Sequence, residues 1–223
     1  MKSFFITATG TDIGKTFVTA LLIRQLRAQG KSVRALKPLL TGYTDDVARE
    51  SDTGILLDAL DLPVNAETIA RVTPWRFTAP LAPTMAAERE GRRVDCLEII
   101  SFCRAAQQGA EEFLLIEGVG GAMVPLDKQL TVRDWMAALR LPALLVTGSY
   151  LGTISHTLTA LEALQSKDIT IAAILVSESP ASTVPLEETA AAIRDFARKI
   201  PVQILPRQSG FDAAPDLTCL VTG

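Results

Sequence analysis

The strongest constraint on the fold is a set of short apolar runs that lack polar alternation: SFFITAT at 3–9, EFLLIE at 112–117, ALLVTG at 143–148 and ITIAAILV at 169–176. A strand that is apolar on both faces must be covered on both. Segments with helical periodicity lie between these runs. Residues 15–29 carry apolar side chains at 17, 18, 21, 22 and 26 and stop at Gly30, and similar patterns cover 95–108, 131–140, 153–166 and 186–198. SVRALK at 32–37 and VQILP at 202–206 supply two more strands. The alternation predicts an α/β fold, a doubly wound, mostly parallel sheet flanked by helices. Pro38 cannot extend the second strand as an ordinary ladder, so residues 38–50 read as an open loop, followed by a helix N-capped by Ser51. Residues 63–93, with Pro63, Pro74, Pro80, Pro83 and the aromatic pair in PWRF, read as an ordered excursion. A chain of 223 residues can bury one sizeable core, so one domain over 1–223 is expected.

Composition removes several functions. The formal charge is −3 and no basic run is present, which argues against nucleic acid or an anionic membrane as partner. No apolar run reaches membrane-spanning length, and the amino-terminal segment is too short and hydroxylated for a signal-peptide core, so a cytoplasmic protein is expected. Cys96 and Cys103 fall on one face of a helical pattern and read as buried thiols, since no CxxC or nearby histidine completes a metal site.

In a doubly wound sheet, ligands bind beyond the carboxyl ends of the strands, so polar residues there carry the functional information. After the first strand comes TGTDIGKT, in which Gly14, Lys15 and Thr16 match the end of a phosphate-binding loop, while Thr9 stands where its first glycine usually does. Backbone N–H groups and the helix dipole, with the Lys15 ammonium, suit a polyphosphate, and the Thr16 hydroxyl suits Mg²⁺. Asp12 reads equally as an ordinary loop acid or a functional one. Glu117 ends a buried strand beside this loop, where a carboxylate can hold Mg²⁺ directly or through water. Asp52 either serves the helix dipole or joins that site. Lys37 ends the second strand, where a fixed cation could stabilise charge on a transferred phosphoryl group. The sole histidine, His156, reads as structural, and the helix start around Thr153 and Ser155 as a possible anion site.

Taken together, TGTDIGKT, LKPLLTG (36–42), SD (51–52), LLIEGVGG (114–121) and LGTISHTLTALEAL (151–164) resemble the dethiobiotin synthetase family over nearly the whole chain. The resemblance implies a P-loop, ATP- and Mg²⁺-dependent cyclo-ligase of biotin synthesis. Such an enzyme joins CO₂ to the vicinal amines of 7,8-diaminononanoate, phosphorylates the carbamate and closes the ureido ring with loss of phosphate. By matched position, Asp12, Ile13, Gly14, Lys15, Thr16 and Phe17 hold the nucleotide phosphates, joined by Asp52 and by Glu117, Gly118, Val119 and Gly120. Mg²⁺ falls to Thr16, Asp52 and Glu117. Lys37 and Lys15 are the implied catalytic residues. Thr11, Lys37 and Thr41 are the implied substrate contacts, with Gly152, Thr153 and Ser155 meeting the carboxylate in a homodimer whose substrate lies near the interface.

Four positions depart from the family's pattern, one of them Thr41, which stands where a serine usually contacts substrate. Ala8 stands for a usual glycine, Gly10 for an aspartate and Ser177 for an asparagine that reads the base. Serine lacks the paired donor and acceptor of an amide, so weakened discrimination between nucleotides is expected, with Glu178, Pro206, Arg207 and Gln208 still beside the base. The main rival is a partitioning or regulatory switch ATPase. That reading is disfavoured because no second lysine occurs early in the loop, where Ala8, Thr9 and Gly10 stand.

Overall fold

The computed structural model describes residues 1–180, 182–207, 211 and 213–222. In chain order its elements are β1 (Lys2–Ala8), α1 (Lys15–Ala28), β2 (Val33–Leu36), β3 (Leu39–Thr41), α2 (Asp52–Ala59), α3 (Ala66–Val72), β4 (Trp75–Phe77), α4 (Pro83–Arg89) and α5 (Cys96–Ala106). These are followed by β5 (Phe113–Glu117), α6 (Val132–Leu139), β6 (Ala143–Thr147), α7 (Thr153–Gln165), β7 (Ile171–Ser177), α8 (Leu186–Ala197), β8 (Val202–Leu205) and α9 (Cys219–Thr222).

Six strands form one sheet in the order β2-β5-β1-β6-β7-β8, and every neighbouring pair is parallel. Alternate residues of each strand feed opposite faces. Phe5, Leu114, Leu145 and Ile174 join the core under α5, α6, α7 and α8. Phe4, Ile6, Leu115, Val146 and Leu175 join the core under α1, α2 and α9. Both faces are therefore covered, as the uninterrupted apolar runs require. Strand β1 lies between β5 and β6, so the chain leaves it at the point where strand order reverses and a crevice opens.

The loop expected over 38–50 is corrected by the structure. Pro38 does end β2, yet the chain resumes at once as β3, which pairs in parallel with β4 in a second, two-stranded sheet. Burial drives this: Leu39 is 1% exposed, and with Phe77 it enters the main core. The Lys37 amide donates to the Val72 carbonyl (3.1 Å) and the Trp75 amide to that of Pro38 (3.1 Å), which fixes the turn between the sheets. The proline-rich excursion is ordered, with α3 opened by a capping box from Asn65 and Thr68 and α4 by Pro83 in its first turn. Cys96 and Cys103 are buried, and burial pushes both thiols up to about 12. Cys219 is exposed.

Candidate active site

The phosphate loop runs from the end of β1 into α1. Gly14 caps that helix at φ 98°, a conformation L side chains rarely adopt, and a methyl there would come within 3.0 Å of the Ser177 hydroxyl. Gly121, past β5, lies so close to the loop that a Cβ would meet the Thr9 carbonyl at 3.1 Å. The glycines after Glu117 therefore let two strand ends approach. Lys15 folds back over the loop, with Nζ donating to the Gly10 carbonyl at 3.2 Å.

Three elements meet at Thr16. Its hydroxyl lies 2.8 Å from Asp52 Oδ1 and 2.9 Å from Glu117 Oε1. One proton serves one of them at a time. Lys37 bridges the same two acids from the other side, with Nζ 2.8 Å from Asp52 Oδ2 and 2.6 Å from Glu117 Oε1, and donates to the Gly118 carbonyl at 2.9 Å. Glu117 Oε2 is buried without a hydrogen-bond partner. Two convergent carboxylates, a hydroxyl and an unpartnered oxygen suit a hard divalent cation, so the residues fit Mg²⁺. Among the described residues no three His, Cys, Asp or Glu side chains cluster to hold a metal, so a cation here would complete its shell with water and phosphate oxygens.

The charges are unevenly matched. Burial alone would lower the Lys37 ammonium, but the Glu117 and Asp52 charges and their hydrogen bonds outweigh it and raise it above the ordinary lysine value. Burial would raise Asp52, yet Lys37 and the Thr16 hydroxyl hold it below the usual carboxylate range. For Lys15, burial and the neighbouring Lys37 charge prevail over Glu117, Asp52 and Asp12 and lower it to about 8. Its positive charge is under-compensated, which favours an anion beside it.

A cleft of ≈ 630 Å³ opens over these groups. It is lined by Thr11, Asp12, Ile13, Gly14, Lys15, Thr16, Lys37, Thr41, Asp52, Val119 and Gly120, and also by Leu40, Gly42, Val47, Glu50 and Ser51. The last five were not foreseen. The adjacent leucines of LKPLLTG, which mark a buried segment beside Thr41, were the available signal for Leu40 and Gly42. A second cavity of ≈ 250 Å³ shares Asp12, Ile13 and Gly14 and is walled by Phe17, Ser177, Glu178, Ser179, Pro180, Leu205, Pro206 and Arg207. Glu178 ties its two strand ends together: its amide donates to the Leu205 carbonyl (2.9 Å) and its carboxylate accepts from the Arg207 amide (2.8 Å). Gln208 lies outside the described residues.

Gly152, Thr153 and Ser155 line neither cavity. Thr153 is 2% exposed, its hydroxyl donates to the Gly148 carbonyl (2.9 Å) and its amide to that of Tyr150 (3.0 Å), so its polar groups are already used. His156 meets the Tyr150 hydroxyl through Nδ1 at 2.9 Å on the surface.

A lysine-bearing loop entering a helix at the middle of a parallel sheet, with two carboxylates and a second lysine at adjoining strand ends, defines a P-loop nucleotide-binding fold. Solved structures share that fold: the MinC:MinD cell division complex of Aquifex aeolicus (TM-score 0.56, 14% identity, 94% of this chain and 82% of that one) and a ParA family ATPase of Chlorobium tepidum TLS (TM-score 0.54, 13% identity, 93% and 85%). A family model described as an AAA domain matches residues 2–210. Closer likeness is to proteins named ATP-dependent dethiobiotin synthetase BioD. That of Acidiphilium cryptum is 52% identical over 190 residues (85% of each chain), that of Methylobacterium nodulans 49% over 220 residues (96% of each), and that of Phenylobacterium zucineum 43% over 220 residues (98% of this chain, 94% of that one). The chain belongs to the ATP-dependent dethiobiotin synthetase family.

Proposed function

We propose that residues 1–223 act as one ligase domain that converts 7,8-diaminononanoate, CO₂ and ATP to dethiobiotin, ADP and phosphate with Mg²⁺. The observation that carries this reading is the joining of Lys15, Thr16, Lys37 and Asp52 in one cleft with Thr11 and Thr41, with the buried Glu117 behind them in contact with Thr16 and Lys37. A carbamate and a nucleotide triphosphate are both anions and repel each other. Two lysines and the α1 dipole, roughly half a charge at its N-terminus, offset that repulsion where the reacting oxygens must meet.

In this reading Lys15 and the loop from Asp12 to Phe17 hold the phosphates. Mg²⁺, when bound by Thr16, Asp52 and Glu117, neutralises charge on the transferred phosphoryl group. Lys37, held protonated by its two carboxylates, acts as a fixed cation for the carbamate and is no general base. Thr11 and Thr41 orient the diamine. The cavity beside Ser177 takes the base, and the short serine side chain relaxes the choice among nucleotides.

We further propose a homodimer in which the start of α7 in one chain meets the substrate carboxylate in the other's cleft. Leu151, 83% exposed, and Met123, 46% exposed, supply apolar surface near these strand ends. A cytoplasmic setting is supported by three free cysteines. Among the described residues no helix is long and apolar enough to cross a membrane.

The test is formation of the cyclic urea from 7,8-diaminononanoate, bicarbonate and Mg²⁺ with ATP, CTP or GTP. Product that requires nucleotide is expected. Hydrolysis indifferent to the diamine would instead favour the switch ATPase.

A further inference from the structure

Thr9 raises a question that the reaction leaves unanswered: what a hydroxyl does where a phosphate loop ordinarily has glycine. The parallel register pairs Ala8 with Val146, and one step further on Thr9 lies beside Thr147 of β6. The Thr9 and Thr147 hydroxyls are 3.2 Å apart. Thr147, fully buried, also lies 2.9 Å from the Thr153 hydroxyl and 2.7 Å from that of Thr157, both on α7.

Counting protons gives this cluster a direction. Thr153 donates to the Gly148 carbonyl (2.9 Å) and Thr157 to the Thr153 carbonyl (2.7 Å), so both hydroxyl oxygens are acceptors toward Thr147. A hydroxyl has one proton, and that of Thr147 is drawn to α7. Neither α7 hydroxyl donates to Thr147, so its oxygen is open to accept the proton of Thr9. The phosphate loop is thus tied through Thr9 and Thr147 to the first turns of α7, and the Thr9 hydroxyl is committed inward.

We propose that Thr147 is a positioning residue: through the Thr9 hydroxyl it fixes the path of the phosphate loop against α7, and so sets nucleotide affinity from outside the cleft. This deepens the function proposed above, since it concerns the same nucleotide site. Direct nucleotide binding tests it independently of whether the ligase reaction occurs.

Three variants separate the hydroxyl from its methyl. Thr147→Val keeps the shape and removes the hydroxyl. Thr147→Ser keeps the hydroxyl and removes the methyl. Thr157→Val removes a hydroxyl of the cluster that does not touch Thr9. Losing one hydrogen bond that positions the loop corresponds to about five-fold in affinity. Thr147→Val is expected to raise the Kd for MgADP by about that factor, and to lower the urea midpoint by an amount comparable to Thr157→Val, which likewise removes one buried hydroxyl. Thr147→Ser is expected to keep wild-type affinity despite a lower midpoint, and Thr157→Val to keep wild-type affinity. Wild-type affinity in Thr147→Val would overturn the proposal. So would equal losses in all three variants, or affinity that tracks the midpoint, because packing alone would then explain the effect.

Discussion

The Lys37 ammonium and the Glu117 carboxylate, both buried at the carboxyl ends of the paired strands β2 and β5, lie 2.6 Å apart. Asp52 completes the cluster from α2, and Lys37 is the cation that both acids share. Lys37→Met would leave the buried Glu117 and the partly exposed Asp52 without that cation; removing one partner of a fully buried pair costs roughly 3–5 kcal/mol, and the solvent at Asp52 reduces its share. Urea unfolding in EDTA should show that loss, and Mg²⁺ should restore part of it by replacing the missing charge. Turnover should fall far more than nucleotide affinity. An unfolding curve of Lys37→Met insensitive to Mg²⁺ would contradict the shared-cation account.

Ser177 lines the ≈ 250 Å³ cavity proposed to take the base and sits against Gly14, where its hydroxyl is 3.0 Å from the place a Cβ would occupy. Its single oxygen cannot set a donor atom and an acceptor atom side by side against a base edge, as the nitrogen and oxygen of an amide do. Ser177→Asn should sharpen the ratio of kcat/KM for ATP over CTP by about ten-fold, the worth of one well-placed hydrogen bond or a little more. Equal ratios in the wild type and the variant would remove Ser177 from base selection.

If each site joins Lys37 of one chain with the α7 start of the other, two inactive variants should complement. Lys37→Ala and Ser155→Glu chains, each inactive alone, would form hybrid dimers carrying one intact site. Random pairing of equal amounts predicts about a quarter of wild-type activity. Activity no higher than that of either variant alone would place the whole site in one chain.

The buried thiols make a pH-dependent contribution. Cys96 and Cys103 keep their protons to about 12 in the folded protein, whereas thiols of the unfolded chain ionise near ~8.5. Stability from this source is full below that lower value and declines as pH rises toward the higher one. The slope is up to about 1.4 kcal/mol per pH unit for each thiol. Urea midpoints between neutral pH and pH ~10 should fall less steeply in a Cys96→Ala/Cys103→Ala variant than in the wild type. A thiol reagent should modify the exposed Cys219 in the native protein and the other two only on unfolding.

The sheet was legible because its strands are apolar on both faces, and the phosphate loop because Gly14, Lys15 and Thr16 follow the first of them. Ser51 also proved to be a helix cap, its hydroxyl accepting from the Gly54 amide at 3.2 Å. Two other features depend on distant partners. Leu39–Thr41 becomes a strand only because Trp75–Phe77, more than thirty residues on, pairs with it and Phe77 shares its core. The grouping of Lys37 with Asp52 and Glu117 needs the strand order that places β2 beside β5. The hydroxyl cluster at Thr147 likewise depends on register, since a one-residue slip would turn Thr9 to the other face. The sequence assigns the acids and the lysine to different ligands, whereas the structure joins them in one charge cluster.

The proposed reaction phosphorylates a carbamate oxygen, which then leaves with the phosphate. It is tested most directly by running the reaction with ¹⁸O-labelled bicarbonate in unlabelled water and analysing the phosphate by mass spectrometry at early times. The account predicts one ¹⁸O in the phosphate formed along with each ureido ring. Unlabelled phosphate, released at the same rate with or without the diamine, would contradict it.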